Sequence, residues 1–282
     1  MRVLAVNDVS CIGKCSIAAT LPIISACGVE CNLLPTALLS THTGGFQGYT
    51  FLDLTQEIPA VLTHWKSLNI KFEYVYSGYL GSIEQIRLVL RLKQEFLAEN
   101  GKLIVDPVMG DNGKLYAGFT PEYVAEMRKL CQAADYILPN VTEACYLTDM
   151  PYPLTEENAK TAFQKLAELC PRPILTGVSD GNKISVYYGD KGNARVHTNE
   201  NVEGFFCGAG DVFASAFVGC LARKVEEKDA VALAANFVTS AIRRSAKEVS
   251  DKRFGLAFER EIYPFLQNLE RVLRKKNSHA NG

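Results

Sequence analysis

Short apolar runs alternate along the chain with segments of helical period, and this alternation predicts βα units wound around a mostly parallel sheet. The run from Val3 to Val6 reads as a buried strand; beyond it Ile17, Leu21 and Ile24 fall on one helical face, and Gly28 supplies the stop. A β-rich run from Phe72 to Ser77 leads into Gly78, after which Ile83, Ile86, Leu90 and Leu97 fit a helix. The all-apolar run from Leu103 to Val105 is the next strand and ends at Asp106. Thr120-Pro121-Glu122 combines a capping hydroxyl, a proline at the first helical position and an acid in the first turn, so a helix is predicted through Leu130. Tyr136 to Leu138 reads as a strand, followed by helical stretches to about Leu147 and from Thr155 to Leu169; Pro173 to Leu175 is a further strand ending at Thr176.

The rhythm then changes. Two strands, Ile184 to Tyr188 and Ala194 to Thr198, flank Gly189-Asp190-Lys191-Gly192 and predict an antiparallel hairpin at a sheet edge. Three long helices are predicted from Val212 to Leu221, from Ala230 to Ile242 and from Phe254 to Leu273, with a loose tail after about Arg274. No internal repeat, low-complexity linker or composition break divides residues 1–282, so one α/β domain is expected. Within it, the stretches from Thr36 to Phe51 and from Gly110 to Gly118 are Gly- and polar-rich enough to act as lids.

Composition narrows the function classes. With 48% hydrophobic and 22% charged residues over 282 positions, the chain has the apolar content of a folded globule. Thirty Lys+Arg against 31 Asp+Glu give a formal charge of −1, so no global positive field exists to hold nucleic acid or an anionic membrane. Neither a bilayer-spanning run nor a secretory signal is found, and a cytoplasmic protein with small-molecule partners is expected. The nine cysteines are odd in number and read as reduced thiols. Cys11/Cys15 and Cys27/Cys31 have zinc-like spacing, but a predicted helix holds the pairs roughly 18 Å apart, too far for one ion.

The sharpest local feature is Cys207-Gly208-Ala209-Gly210-Asp211, which opens directly onto an apolar helix. Small residues let a backbone turn approach a ligand, unpaired amides at a helix start favour an anion, and Asp211 there could accept a proton from an attacking hydroxyl. A helix-capping Asp after a glycine turn is the plainer alternative. Asp106 and Asp111 bracket a turn beyond a strand end, where ligands of open α/β sheets gather and where paired carboxylates suit Mg²⁺. Asn140 and Glu143 lie three apart on one helical turn after the next strand, and Thr176 marks another strand end. Asn7-Asp8 follows the first strand, and Ser40-Thr41-His42-Thr43-Gly44-Gly45 is a dense donor and acceptor loop. Two nucleotide motifs are absent: Phe213 stands where a Rossmann fingerprint needs a small residue, and Asp8 and Cys15 stand where a Walker loop needs Gly and Ser/Thr.

Together these pieces resemble the ribokinase-like superfamily and, within it, the vitamin B6 (pyridoxal/pyridoxamine) kinases. Gly208-Ala209-Gly210-Asp211 is similar to the superfamily's Gly-Thr-Gly-Asp motif, and Asp106-Pro107-Val108-Met109-Gly110 and Pro139-Asn140-x-x-Glu143 resemble its nucleotide and metal motifs. Ser40-Thr41-His42-Thr43-Gly44 is similar to the Ser-Asn-His-Thr-Gly loop of the B6 kinases, and Asp251-Lys252-Arg253-Phe254-Gly255 resembles their C-terminal Arg-Tyr-Gly segment.

The resemblance implies a ribokinase-like fold, a sheet flanked by helices, and transfer of the ATP γ-phosphate to the 5′-hydroxymethyl group of pyridoxal, pyridoxamine or pyridoxine. Asp211 would activate the hydroxyl over an anion hole of Gly208, Ala209 and Gly210; Asp8, His42, Thr43 and Tyr79 would face the pyridine ring. Asp106, Asp111, Tyr116, Asn140, Glu143 and Thr176 would line the ATP side, with Asp106 and Glu143 on Mg²⁺. It also implies a homodimer and leaves a monovalent cation such as K⁺ open. Two departures stand out: Ala209 replaces Thr, and Asp8 stands where many B6 kinases have Ser. Asp8 resembles the hydroxymethylpyrimidine (phosphate) kinases of thiamine synthesis, the alternative activity, although their Gly-Gly-Ala-Gly run is missing from Cys11-Ile12-Gly13-Lys14-Cys15. A noncatalytic ligand-binding protein on the same fold is the third reading, since fold does not fix function.

Overall fold

The computed structural model describes residues 1–280 except 205 and 250, without the side chains of 277, 279 and 280. The chain begins β1 (Arg2–Ile12), α1 (Ile17–Ala26), β2 (Glu30–Thr41), β3 (Phe51–Asp53), α2 (Ile58–Ser67), β4 (Phe72–Ser77), α3 (Ile83–Phe96) and β5 (Leu97–Val105). A small hairpin, β6 (Gly110–Asp111) and β7 (Lys114–Leu115), precedes α4 (Pro121–Ala133), β8 (Tyr136–Ile137), α5 (Val141–Thr148) and α6 (Glu156–Leu169). Then come β9 (Leu175–Ser179), β10 (Lys183–Asp190), β11 (Asn193–Glu200), α7 (Ala209–Ala222), α8 (Glu227–Glu248) and α9 (Ile262–Ala280).

The main sheet has the order β3-β2-β1-β4-β5-β8 and is parallel except for β3. Alternate residues explain its three layers. Val3, Ala5, Tyr74, Tyr76 and Ile104 point into one core with α1, α7 and α8, while Leu4, Val6, Val75, Leu103 and Val105 point into a second core with α2 to α6. Both faces are covered, so the central strands read as unbroken apolar runs. Helix starts follow local chemistry: the Thr120 hydroxyl accepts from Tyr123 N ahead of Pro121, and Ser82 accepts from Gln85 N.

Several elements differ from the sequence expectation. The stretch expected to be loop from Thr36 onward is strand up to Thr41 and strand again from Phe51, because β2 pairs along β1 through Ile12. Pro35 interrupts the apolar alternation that would announce such a strand; it sits where the register shifts, so Thr36 and Ala37 oppose Asp8 alone in a bulge. The expected strand from Pro173 to Leu175 makes only a bridge between Pro173 and Ile137. From Leu175 the chain instead pairs antiparallel with β10, so the hairpin belongs to a separate three-stranded sheet β11-β10-β9. The helix expected from Phe254 starts at Ile262: Gly255, at φ +88°, bridges Lys14, and Leu256 and Phe258 are drawn into the core through two 3₁₀ turns. That last helix continues past Arg274 to Ala280, while 281–282 of the expected tail lie outside the described residues. All nine cysteines are free, and no helix among the described residues is long and apolar enough to cross a membrane.

Candidate active site

The sheet order reverses between β1 and β4, since β1 runs on to β2 on one side and has β4 on the other. Crevices open at such switch points beyond the strand ends. Here Asn7 and Asp8 from β1, Tyr79 after β4 and Asp106 after β5 meet the start of α7.

Gly208 caps α7 in the left-handed region, φ +79°, and no side chain caps the first turn. A Cβ at Gly208 would run into the Lys14 carbonyl, so only glycine makes this approach. A Cβ at Gly210 would meet nothing, so the space beside the first turn is open there. Such an end attracts anions.

Asp211, one residue further, accepts from Asn7 Nδ2 at 3.4 Å. Burial, and after it the neighbouring Asp8 charge, pushes its carboxyl from 3.8 up to about 6 despite the bonds from Asn7 and the Ser16 main chain. Asn7 is fully buried, and its Oδ1 accepts from Asp8 N at 3.0 Å and Tyr79 N at 2.8 Å. Asp8 is buried as well; burial raises its carboxyl, and the Ser10 and Ser16 hydroxyls partly offset this, Ser10 Oγ donating at 3.0 Å. Tyr79 stacks on Phe119 at 5.9 Å, and Phe119 stacks on Tyr123 at 3.9 Å, an aromatic wall beside Asp8. Burial, then Asp8, pushes the Tyr79 phenol up to about 12.

On the other side, Glu143 is buried and accepts from Met109 N at 3.2 Å and Asn140 N at 2.8 Å. Asn140 returns the cap, its Oδ1 accepting from Glu143 N at 2.9 Å, and its Nδ2 donates to Gly110 O at 2.9 Å. Asp106 lies beside Glu143. Burial raises both carboxyls; after burial the Asp211 charge raises Asp106, and the Asp106 charge raises Glu143. The Tyr76 hydroxyl lies in the field of Asp106, Asp211, Asp8 and Glu143 and makes no hydrogen bond to the protein. The Tyr116 phenol is raised by burial and then by the charges of Glu143, Asp111 and Asp106. No cluster of three or more His, Cys, Asp and Glu that could hold a metal ion occurs among the described residues.

The crevice thus gathers Asp8, Tyr79, Asp106, Asp111, Tyr116, Asn140, Glu143, Asp211 and the loop of Gly208, Ala209 and Gly210. Three expected residues stand differently. His42 takes Gly44 N at Nδ1, 3.1 Å, and its Nε2–H donates to Arg253 O at 2.6 Å. Both ring nitrogens are therefore engaged with main chain, and the ring ties the loop after β2 to the segment around Arg253. Thr43 is exposed on that loop. Thr176 is the second residue of β9, not a strand end, and its hydroxyl donates to Pro139 O at 3.4 Å under the Asn140 turn. Asn7 stands beside Asp8 after the first strand in the sequence expectation but has no role of its own among the site residues there. Its only local signal is an amide directly following a buried apolar run.

A model of the phosphomethylpyrimidine kinase family matches residues 12–254. A structure of a pyridoxal kinase from Lactobacillus plantarum superimposes with a TM-score of 0.88 at 32% identity, covering 96% of this chain and 98% of that one. A Bacteroides thetaiotaomicron protein described as a candidate phosphomethylpyrimidine kinase, in a crystal form with pyridoxal, gives a TM-score of 0.88 at 36% identity over 94% of this chain and 95% of that one. A chloroplastic thiamine biosynthetic bifunctional enzyme of Arabidopsis thaliana is 29% identical over 234 residues, 80% of this chain. The match spans only 43% of that plant enzyme, and 50% of a similar yeast protein, so the chain covers about half the length of the curated relatives it matches first.

Proposed function

The chain belongs to the phosphomethylpyrimidine kinase family, and from there we propose that it is an ATP-dependent kinase of vitamin B6, acting on the 5′-hydroxymethyl group of pyridoxal and its amine and alcohol forms. One observation carries this reading: a carboxylate with its proton affinity raised to about 6 stands at the uncapped start of α7. The acceptor O–H proton passes to Asp211 as the oxygen attacks the γ-phosphorus. The bond from that phosphorus to the β,γ-bridging oxygen breaks and ADP departs. The amides of Gly208, Ala209 and Gly210 hold the charge on the moving phosphoryl group, so positioning and electrostatics supply the rate. Tyr79 and its aromatic wall suit a flat ring, with Asp8 at its polar edge. The relative crystallised with pyridoxal supports the same acceptor.

Asp106 and Glu143 fit Mg²⁺. Two buried carboxylates, with no cluster of three metal-ligating side chains among the described residues, suit an ion held mainly through water and phosphate oxygens. When bound, the ion would neutralise phosphate charge; Asn140 and Glu143 meanwhile fix the loop from Met109 to Gly110. Residues 1–282 folding as one domain, a homodimer and a cytoplasmic location complete the proposal on family resemblance. A solution mass of twice the 31.0 kDa protomer checks the dimer.

The second reading, a hydroxymethylpyrimidine kinase, is favoured by Asp8 and by the plant relative. Rates with MgATP and each acceptor in turn decide between the two. Formation of pyridoxal 5′-phosphate with the higher kcat/KM is expected, and a higher value for hydroxymethylpyrimidine overturns the B6 assignment. Absence of ATP consumption with every acceptor revives the noncatalytic reading.

A further inference from the structure

We propose that Asn7 is a positioning residue that couples the acceptor-binding segment to the base, so that one amide sets both where the vitamin ring sits and where Asp211 waits. The inference rests on the reading of Asp211 as the base. Two main-chain N–H groups, from Asp8 and Tyr79, converge on one atom of the Asn7 amide, and only oxygen accepts both. The orientation of the side chain is thereby fixed, and the nitrogen necessarily faces Asp211. The strands part at this point: Gly78 N donates to Val6 O at 2.9 Å, and the next residue on each chain enters the crevice. Gly78 lies flat against the Asn7 amide, and a Cβ there would overlap it. Asn7 is fully buried and has no room to turn, so a shift of the Tyr79 main chain is passed to the carboxylate. The contacts span 72 and 204 residues of sequence and join the end of β4 to α7 through a single side chain.

Three variants test it: Asn7→Asp, Asn7→Leu and Gly78→Ala, each measured for kcat, acceptor KM, ATP KM and melting temperature. Asn7→Asp keeps the acceptor for both amides and loses the donor to Asp211, so kcat is expected to fall ~30-fold or more with acceptor KM changed less than ~3-fold. Asn7→Leu loses both functions and should add a ~10-fold rise in acceptor KM, the size of a lost backbone partner. Gly78→Ala displaces the amide without altering any charge and should lower kcat ~10-fold. ATP KM is expected to hold in all three. Should kcat survive in Asn7→Asp and Gly78→Ala, or should both KM values and melting temperature move together with kcat, Asn7 is a fold residue and the proposal is overturned. A wild-type chain that phosphorylates hydroxymethylpyrimidine and not pyridoxal defeats the B6 reading instead, and the same variants measured on that acceptor still judge Asn7.

Discussion

Glu143 and Asp211 are carboxylates on opposite walls of one crevice, and they are held in opposite ways. Glu143 commits both oxygens to main-chain amides, inside a reciprocal cap with Asn140. Asp211 meets one side chain, Asn7, at 3.4 Å. Burial raises both, but a main-chain amide fixes each Glu143 oxygen and leaves it a lone pair for an ion, whereas Asp211 is held by one long side-chain contact and the Ser16 main chain. The nucleotide wall is an anchor and the acceptor wall a poised reagent. Rigidity and reactivity are thus assigned to different residues of the same chemical type.

The largest effect that tests this division is at Asp211. Asp211→Asn is expected to lower kcat by roughly 10³-fold with little change in nucleotide affinity; an enzyme that keeps its rate in steady-state assays has its base elsewhere. Next comes pH. Because Asp211 binds its proton up to about 6, log kcat/KM is expected to fall with unit slope below that pH, and the Asp211→Asn variant should lack that limb.

Stability should run the other way. Asp211, Asp8, Asp106 and Glu143 all bind protons more tightly folded than unfolded. The Asp211 contribution to unfolding free energy therefore rises as pH falls from about 6 towards the ordinary aspartate value of 3.8 and is lost as pH climbs back, and the other three carboxylates act in the same direction. Urea titrations of the protein at pH 7 and pH 5.5, with surface carboxylates common to both, check the sign. A third and smaller effect belongs to the anchor. Glu143→Ala strands the Met109 and Asn140 amides and is expected to cost about 2 kcal/mol in urea unfolding, with ATP KM raised more than acceptor KM; equal changes in both would erase the distinction between the walls.

The smallest effect concerns the loop after β2. Arg253 sits over the Phe46 ring at 5.0 Å and donates to Gly45 O at 3.4 Å, while its carbonyl accepts from His42. Arg253→Ala removes the first two contacts and keeps the third, so a ~3-fold rise in acceptor KM is expected, in line with an exposed cation–π contact. A much larger rise would move the loop from support to direct ligand contact.

Local signals made part of this legible. Phe72 to Ser77, the Thr120 cap and the Asn140/Glu143 spacing announce themselves because each is decided within a few residues. The strand through Thr41 was hidden because its partner, β1, rather than its own alternation, holds it extended past Pro35. The break before the last helix depends on Gly255 meeting Lys14, some 240 positions earlier by the order of the chain. Thr176 fell at the expected place in the sequence, yet the chain turns there into a different sheet and its hydroxyl is occupied by Pro139. The role of Asn7, though not its presence, escaped for the same reason in sharper form: nothing near it in sequence shows that two distant groups converge on its amide.

β1 and β4 run side by side only from Val3 and Tyr74 to Val6 and Ser77, and then separate. The gap is produced by the winding of the sheet, not carved out of it, and no ladder has to be sacrificed to keep it open. Descendants of this chain can exchange the groups that rim the gap and turn to another alcohol while inheriting the frame unchanged, so novelty and durability need not compete for the same positions.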